Sequence, residues 1–328
     1  MRRLRTLTSV VMAALATAAY LCLAGSAAAE QAYPTRTVKF IVPYGAASAS
    51  DITARMFADR LSARWGKPVV VENRPGGDGI VSIESFVSAK DDHMLWFGPA
   101  GIFTVAPYSH DTLPYDSQRD LLPIVSISDV VLAISTPASM NINSIDQLVA
   151  LAKAQPGKLN AAAATGISDF LLFGWIKNMD LQVAKVPYRD IMQAPNDLAE
   201  QRIQILSTSL AVVQPLAQAG KIKILTVTSR KRAPTAPDVP TASEAGYPAL
   251  TFESIGGIFG PRGMPDKERE NIAADVRAVS ADPAIAPRLG NIGAIMDIQG
   301  PAEFATSVKA QRDRLAAIAK VLGLKAAQ

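Results

Sequence analysis

KFIVPYGAASASD at 39–51, read with PVVVENRPGG at 68–77, decides the fold. Lys39–Val42 reads as a short buried strand ending at Pro43, and Tyr44–Ser50 as a loop of small residues. From Asp51 onward, Ile52, Met56, Phe57, Leu61 and Trp65 recur near helical spacing. Gly66 and Pro68 stop that run, and Val69–Val71 opens a second strand. The unit is therefore β-loop-α-β. Its loop sits at the strand's carboxyl end and faces a helix N-terminus, where free backbone N–H groups and the helix dipole favour an anion.

Working outward, strand-like runs alternate with helical patterns, which predicts an α/β fold with largely parallel sheets. Lys39–Val42, Val69–Val71, Met94–Phe97 and Leu122–Ser126 suit one sheet, and Val130–Thr136 suits a crossing to a second domain. Ser144 with Gln147 forms a capping box for a helix that Pro156-Gly157 ends. Leu159–Ala163 then reads as a strand, Thr165–Ser168 as a turn and Asp169–Met179 as a helix apolar on most faces. This second strand-loop-helix unit mirrors the first. Further strands are expected at Val183–Val186, Ile203–Ser207 and Ile222–Thr228, and a basic, Pro-rich loop at Arg230–Pro240. Leu250–Phe259 suits a crossing back, followed by a helix from Pro265 to Ala281. Pro301 opens a last helix carrying Phe304, Val308, Leu315, Ile318 and Leu322.

The N-terminus reads as a secretory leader. Arg2, Arg3 and Arg5 precede the apolar Leu7–Leu23, and Ala27-Ala28-Ala29 suits cleavage after Ala29. The alternatives are a membrane anchor, for which the apolar run is short, and a lipoprotein at Cys22, for which Leu21 is a poor preceding residue. Losing the leader takes the formal charge from +4 to +1, so the basic balance is no nucleic-acid signature. It also removes the single cysteine, which excludes thiol catalysis and cysteine metal ligation in the remainder and suits an oxidising compartment. The 299 residues left exceed one ordinary core. The expected division is a leader at 1–29, one lobe from 30–130 with about 252–300, a second lobe at 131–251, and a C-terminal helix at 301–328 packed across or onto a lobe.

No catalytic constellation survives inspection. His93 and His110 lie in polar loops without metal-ligand spacing and read as surface histidines. Gly166-Ile167-Ser168 is half of a nucleophile elbow, but Phe170 takes the place of the second glycine, so Ser168 reads as a helix N-cap and ligand donor. Asp91-Asp92 and Asp238 with Glu244 read as solvated or capping carboxylates, and Glu72-Asn73-Arg74 as a structural tie between loops near a cleft rim. No cofactor-binding or metal-binding pattern is present.

The chain resembles the periplasmic solute receptors of tripartite tricarboxylate transporters, the Bug family. The resemblance rests on Val42-Pro43-Tyr44, Ser50-Asp51, Val69–Val71 with Glu72-Asn73-Arg74-Pro75-Gly76, Leu113-Pro114-Tyr115-Asp116, Leu151-Ala152-Lys153-Ala154 and Pro156-Gly157-Lys158-Leu159. It continues through Val186-Pro187-Tyr188, Ala219-Gly220-Lys221, Asp238-Val239-Pro240-Thr241 and Glu244-Ala245-Gly246, and so covers nearly the whole chain after the leader. It implies a two-lobed periplasmic binding protein of the Venus-flytrap, type II-like kind. Such a protein takes a small carboxylate in the cleft and passes its ligand to a large and a small integral membrane subunit; a clamshell that must open and dock suits a monomer. No nucleic acid is implied as a partner.

Carried over position by position, the ligand contacts are Tyr44, Ala46, Ala47, Ser48, Ser50 and Asp51 in the first loop, and Gly98, Pro99, Ala100 and Gly101 in a third region. Thr165, Gly166, Ile167, Ser168 and Asp169 form the second loop, and Thr208 a fourth region. The departures point to chemistry. Ala47 and Ser48 replace the family's paired glycines, so a left-handed residue here would be strained. Pro99-Ala100-Gly101-Ile102 replaces Thr-Ser-Gly-Thr, removing three hydroxyls, and Thr208 replaces the usual Asp. Fewer polar groups suit an acid with an apolar or aromatic body rather than citrate. Asp169, where the family often has Ser or His, reads either as helix-dipole compensation or as a contact to a ligand N–H, hydroxyl or cation. Two other functions stay open on sequence alone. One is ligand sensing for a signalling partner. The other is a secreted hydrolase using Ser168.

Overall fold

A computed structural model describes residues 33–164, 166–188 and 190–327. The expected leader and its cleavage site lie outside the described residues, as does Thr165. Arg36–Gln328 forms one compact unit.

The opening unit folds as β1 (Val38–Val42), α1 (Ala49–Trp65) and β2 (Val69–Asn73), with β1 and β2 parallel. The helix starts two residues before Asp51, because Ser48 caps it by accepting the Asp51 N–H at 3.2 Å. Its buried stripe is Ala54, Phe57, Ala58 and Leu61, one helical face. Ile52, expected on that stripe, is 41% exposed, since it sits in the first turn at the open end of the helix. Gly66 ends the helix in the left-handed conformation at φ 61.

The chain continues through α2 (Ile80–Ala89), β3 (Met94–Pro99), α3 (Gly101–Ser109) and β4 (Leu121–Val130), then crosses at Val131 into β5 (Leu132–Pro137). A second series follows: α4 (Ile145–Ala154), β6 (Leu159–Ala163), α5 (Ile167–Asn178), β7 (Val183–Lys185), α6 (Ala194–Ala199), β8 (Ile205–Ser209), α7 (Leu210–Gln218) and β9 (Ile222–Val227). The return is β10 (Ser254–Pro261), α8 (Asp266–Ser280), α9 (Ile285–Asn291), β11 (Ala294–Met296) and α10 (Pro301–Leu322). At α4, Ser144 accepts the Gln147 N–H at 3.2 Å, but the Gln147 side chain reaches the Asn143 N–H at 2.7 Å rather than that of Ser144, so only half of the capping box forms.

Two sheets result, with orders β11-β4-β10-β3-β1-β2 and β7-β6-β8-β5-β9. They are mixed, not largely parallel as expected. In the first sheet β10 runs antiparallel to β3 and β4; in the second β5 runs antiparallel to β8 and β9. The reason lies in the crossings. β5 and β10 are the strands that arrive from the other lobe. Each enters its sheet at the end where the parallel strands finish, so it must run against them.

Each sheet has its own core. In the first, the rings of Trp96, Phe103, Phe259 and Phe304 pack together, with Phe103 edge-on to Phe259 at 5.1 Å and Phe259 4.9 Å from Phe304. In the second, Ile134, Leu148, Leu171, Trp175 and Ile205 pack together. Helix α10 serves both, burying Phe304 and Val308 in the first core and Leu315 and Ala319 in the second. Among the described residues no helix is long and apolar enough to cross a membrane.

Candidate ligand-binding cleft

The parallel strands of both sheets end facing one cavity of about 670 Å³. After β1 it is lined by Pro43, Tyr44 and Gly45, and after β3 by Pro99, Gly101 and Ile102. After β6 come Ala163, Ala164 and the first residues of α5, and at the end of β8 come Thr208 and Ser209. Leu132 and Ser254, where the chain crosses between lobes, complete the floor. Helix α5 presents its N-terminus here, and its first N–H groups have no intrahelical acceptor.

Of the residues expected at the ligand, Tyr44, Pro99, Gly101, Gly166, Ile167, Ser168, Asp169 and Thr208 line this cavity. Ala46, Ala47, Ser48, Ser50, Asp51, Gly98 and Ala100 are not among its lining residues. Several of their polar groups are used internally. Asp51, 3% exposed, accepts the Ala47 N–H at 2.9 Å and Asn73 Nδ2 at 2.8 Å and pairs with Arg55 at 2.9 Å. Burial opposes its charge, but the hydrogen bonds from Arg55, Asn73 and the Ala47 amide outweigh that and hold the carboxyl below its usual range. Ala47 stands at φ 65, in the left-handed region that glycine enters freely and alanine does not. The Ala100 N–H bonds the Ile255 carbonyl at 2.9 Å. A side chain at Gly98 would meet the Trp96 ring at 2.8 Å, so this glycine serves close packing.

Asn73 also donates to the Tyr44 carbonyl at 2.9 Å, so the Glu72-Asn73-Arg74 segment does tie the first loop. Ser168 is not an N-cap. Gly166 holds that position at φ 82, α5 starts at Ile167, and the Ser168 hydroxyl donates to the Ser207 carbonyl at 2.9 Å. Its other close partner is the Ser207 hydroxyl at 2.8 Å, so it is bonded to a serine rather than to a base.

Sequence reading placed Asp169 here but missed Lys185 and His110. Lys185, at the end of β7, binds both oxygens of Asp169 at 2.6 and 2.7 Å and lies 4.8 Å over the Phe173 ring. His110, expected on the surface, lines the cleft with Nε2 3.4 Å from the Asp78 carboxylate. No local signal marks these residues, because the strand or loop that carries each reaches the cleft only through tertiary packing. His93 also departs from expectation. It is 4% exposed just ahead of β3, with Nδ1 2.8 Å from Asp92. Asp91 and Asp92, which cluster with His93, are bridged by Arg36 at 2.7 Å, so both carboxylates already have a cationic partner.

Between the charged groups the walls are apolar. Ile102, Val105, Leu132, Ile167 and Phe170 line the cavity. The two lobes touch between α3 and α5. Tyr108 of α3 meets Phe170 of α5 at 6.0 Å, and a Cβ built on Gly101 would come within 2.5 Å of Ile167 Cδ1.

Comparison with known proteins agrees with this fold. Residues 53–324 match the model of the tripartite tricarboxylate transporter family receptor. The chain is 31% identical over 274 residues to a UPF0065 protein of Bordetella bronchiseptica, covering 83% of this chain and 82% of that protein. Its fold is similar to that of R. palustris Rpa4515 with adipate, at a TM-score of 0.75 and 27% identity, covering 89% of this chain and 99% of the other. It is similar to the periplasmic binding protein BugD at a TM-score of 0.71 and 27% identity, with coverage of 89% and 99%.

Proposed function

This chain belongs to the tripartite tricarboxylate transporter receptor family, and we propose that it captures a small carboxylate with an apolar body between its lobes and delivers it to membrane subunits of such a transporter. The family consists of solute-binding receptors rather than enzymes, and a solved relative carries adipate. The observation that carries the reading is the N-terminus of α5 facing a cavity whose middle is apolar. The ligand carboxylate sits against Gly166, Ile167 and Ser168, in the positive field of that terminus. Its body packs between Ile102, Val105 and Phe170. Tyr44, Pro99, Gly101 and Thr208 close around it.

Asp169, next to Ser168 in the first turn of α5, engages Lys185, so that lysine does not offer its charge to a second carboxylate. An aromatic or aliphatic monoacid fits better than citrate. The site of action is the periplasm, the working form is a monomer, and the lobes divide near Val131 and Ser254.

The test is a thermal-shift panel on purified protein, unfolded and refolded to strip bound ligand. Aromatic and long aliphatic monoacids, adipate and citrate are compared. A ligand at 100 times its Kd adds about 2.7 kcal/mol and raises the melting temperature visibly. Shifts with the monoacids support the reading. A shift with citrate alone removes the apolar-body argument, and no shift with any acid removes the carboxylate reading.

A further inference from the structure

The carboxylates among the described residues lining the cavity are Asp78 and Asp169, and they are partnered unequally. Asp169 is bound to Lys185 at 2.6 Å. Asp78 has beside it the ring of His110, with Nε2 3.4 Å from Oδ2, which is long for a hydrogen bond. The Asp78 side chain is 75% exposed, whereas His110 Nε2 is buried and makes no hydrogen bond. The carboxylate thus faces the open cavity, and the imidazole stands behind it.

The local fold fixes this placement. Asp78 is the middle of the short turn Gly77–Gly79 ahead of α2, and it stands in the left-handed region at φ 54, which aspartate tolerates. The Gly79 N–H binds the Gly76 carbonyl at 3.0 Å. A Cβ on Gly79 would stand 2.7 Å from Ile102 Cγ2, so the turn is seated closely on α3. Helix α3 lines the cavity along its length, through Gly101, Ile102, Val105, Ala106 and Ser109. Gly101, at its start, meets Ile167, beside the proposed seat of the ligand carboxylate. His110, just past its last turn, lies about 13 Å further along the axis. The His110–Asp78 pair and the N-terminus of α5 therefore mark opposite ends of one apolar wall.

We propose that Asp78 determines specificity for the ligand's other end, accepting a hydrogen bond from a hydroxyl group there, and that His110 positions it. This rests on the carboxylate reading of the cleft and names the ligand class more narrowly, as a hydroxy acid with an apolar middle. Three kinds of ligand end can meet Asp78. A methyl end strips water from the carboxylate and returns nothing. A second carboxylate meets a like charge, with Lys185 already engaged elsewhere. A hydroxyl returns a hydrogen bond to a charged acceptor, the strong kind. In the tautomer that carries its proton on Nε2, His110 donates to Oδ2 and leaves Oδ1 for the ligand.

Hexanoate, 6-hydroxyhexanoate and adipate differ only at the far end, as do octanoate and 8-hydroxyoctanoate, and calorimetric titration of these acids into ligand-stripped protein tests the proposal. The expected result is that a hydroxy acid binds about tenfold more tightly than the plain acid of its length, and more tightly than adipate. Asp78→Gly keeps the left-handed turn without strain and should bring the hydroxy and plain acids to equal affinity. His110→Gln, which still offers a donor, should keep most of the difference, and His110→Phe should lose it. A histidine with only a structural role would change both affinities alike. Equal affinity for hydroxy and plain acids in the unaltered protein overturns the inference and leaves the carboxylate reading standing. So does a preference that survives Asp78→Gly, or adipate binding more tightly than the hydroxy acid. No binding of any of these acids removes both readings.

Discussion

Asp51 Oδ2 accepts the N–H of Ala47 at 2.9 Å, and Ala47 stands at φ 65. The carboxylate pins a left-handed alanine, whose conformation costs about 1–2 kcal/mol, in the loop ahead of α1. The same carboxylate holds Asn73, and Asn73 holds the Tyr44 carbonyl at the cleft rim. Asp51 is thus a keystone of the rim rather than a lining group of the cavity.

Removing that charge exposes its worth. Asp51→Ala leaves the Ala47 amide, Asn73 and Arg55 without their acceptor and should cost about 2–3 kcal/mol. The urea midpoint of the variant is expected to fall well below that of the unaltered protein. An unchanged midpoint would remove the keystone role.

The pH dependence follows in sign. Folding holds the Asp51 carboxyl below its ordinary value, so its contribution is present above the unfolded value near about 3.9 and is lost as pH falls through the folded value. The difference in melting temperature between the protein and its Asp51→Asn variant should therefore shrink from about pH 6 to about pH 3. A difference constant over that range would contradict the assignment.

Asp169 and Lys185 set the charge beside the N-terminus of α5. Asp169→Asn keeps the shape but frees the lysine charge for a second ligand carboxylate. Affinity for adipate relative to a monoacid of similar length should rise about tenfold, a shift of about 1.4 kcal/mol. Calorimetric titration of both acids into both proteins reads the ratio, and an unchanged ratio leaves Asp169 only its helix-dipole role.

Gly101 meets Ile167 from the opposite lobe. A Cβ at 101 would stand 2.5 Å from Ile167 Cδ1, so Gly101→Ala should hold the lobes apart and weaken ligand binding about tenfold. Ile167→Val removes that methyl group and should restore affinity in the double variant. Failure of the second change to rescue the first would mean that the walls do not meet here during closure.

The unit from β1 to β2 was legible because its signals are local: an apolar run, a small-residue loop, a helical stripe and a Gly-Pro stop. Strand direction in the sheets was not, because β5 and β10 look like any buried strand, and only the path between lobes makes them antiparallel. The first loop invited a ligand role for Ser48 and Asp51 because their residue types suit one. In the folded chain Ser48 caps α1 and Asp51 serves the Ala47 amide, and neither use is visible until the loop closes on itself. Lys185 and His110 carried no signal of their own, since a strand end and a helix end meet Asp169 and Asp78 only after the chain has folded.

Capture of an apolar acid is tested most directly by calorimetric titration of benzoate, octanoate, adipate and citrate into ligand-stripped protein, repeated with Phe170→Ala. The expected result is saturable one-site binding of an apolar monoacid, weaker or absent binding of citrate, and a marked loss of monoacid affinity when Phe170 is truncated. Citrate binding as tightly as the monoacids, with Phe170→Ala without effect, would contradict a receptor for apolar acids.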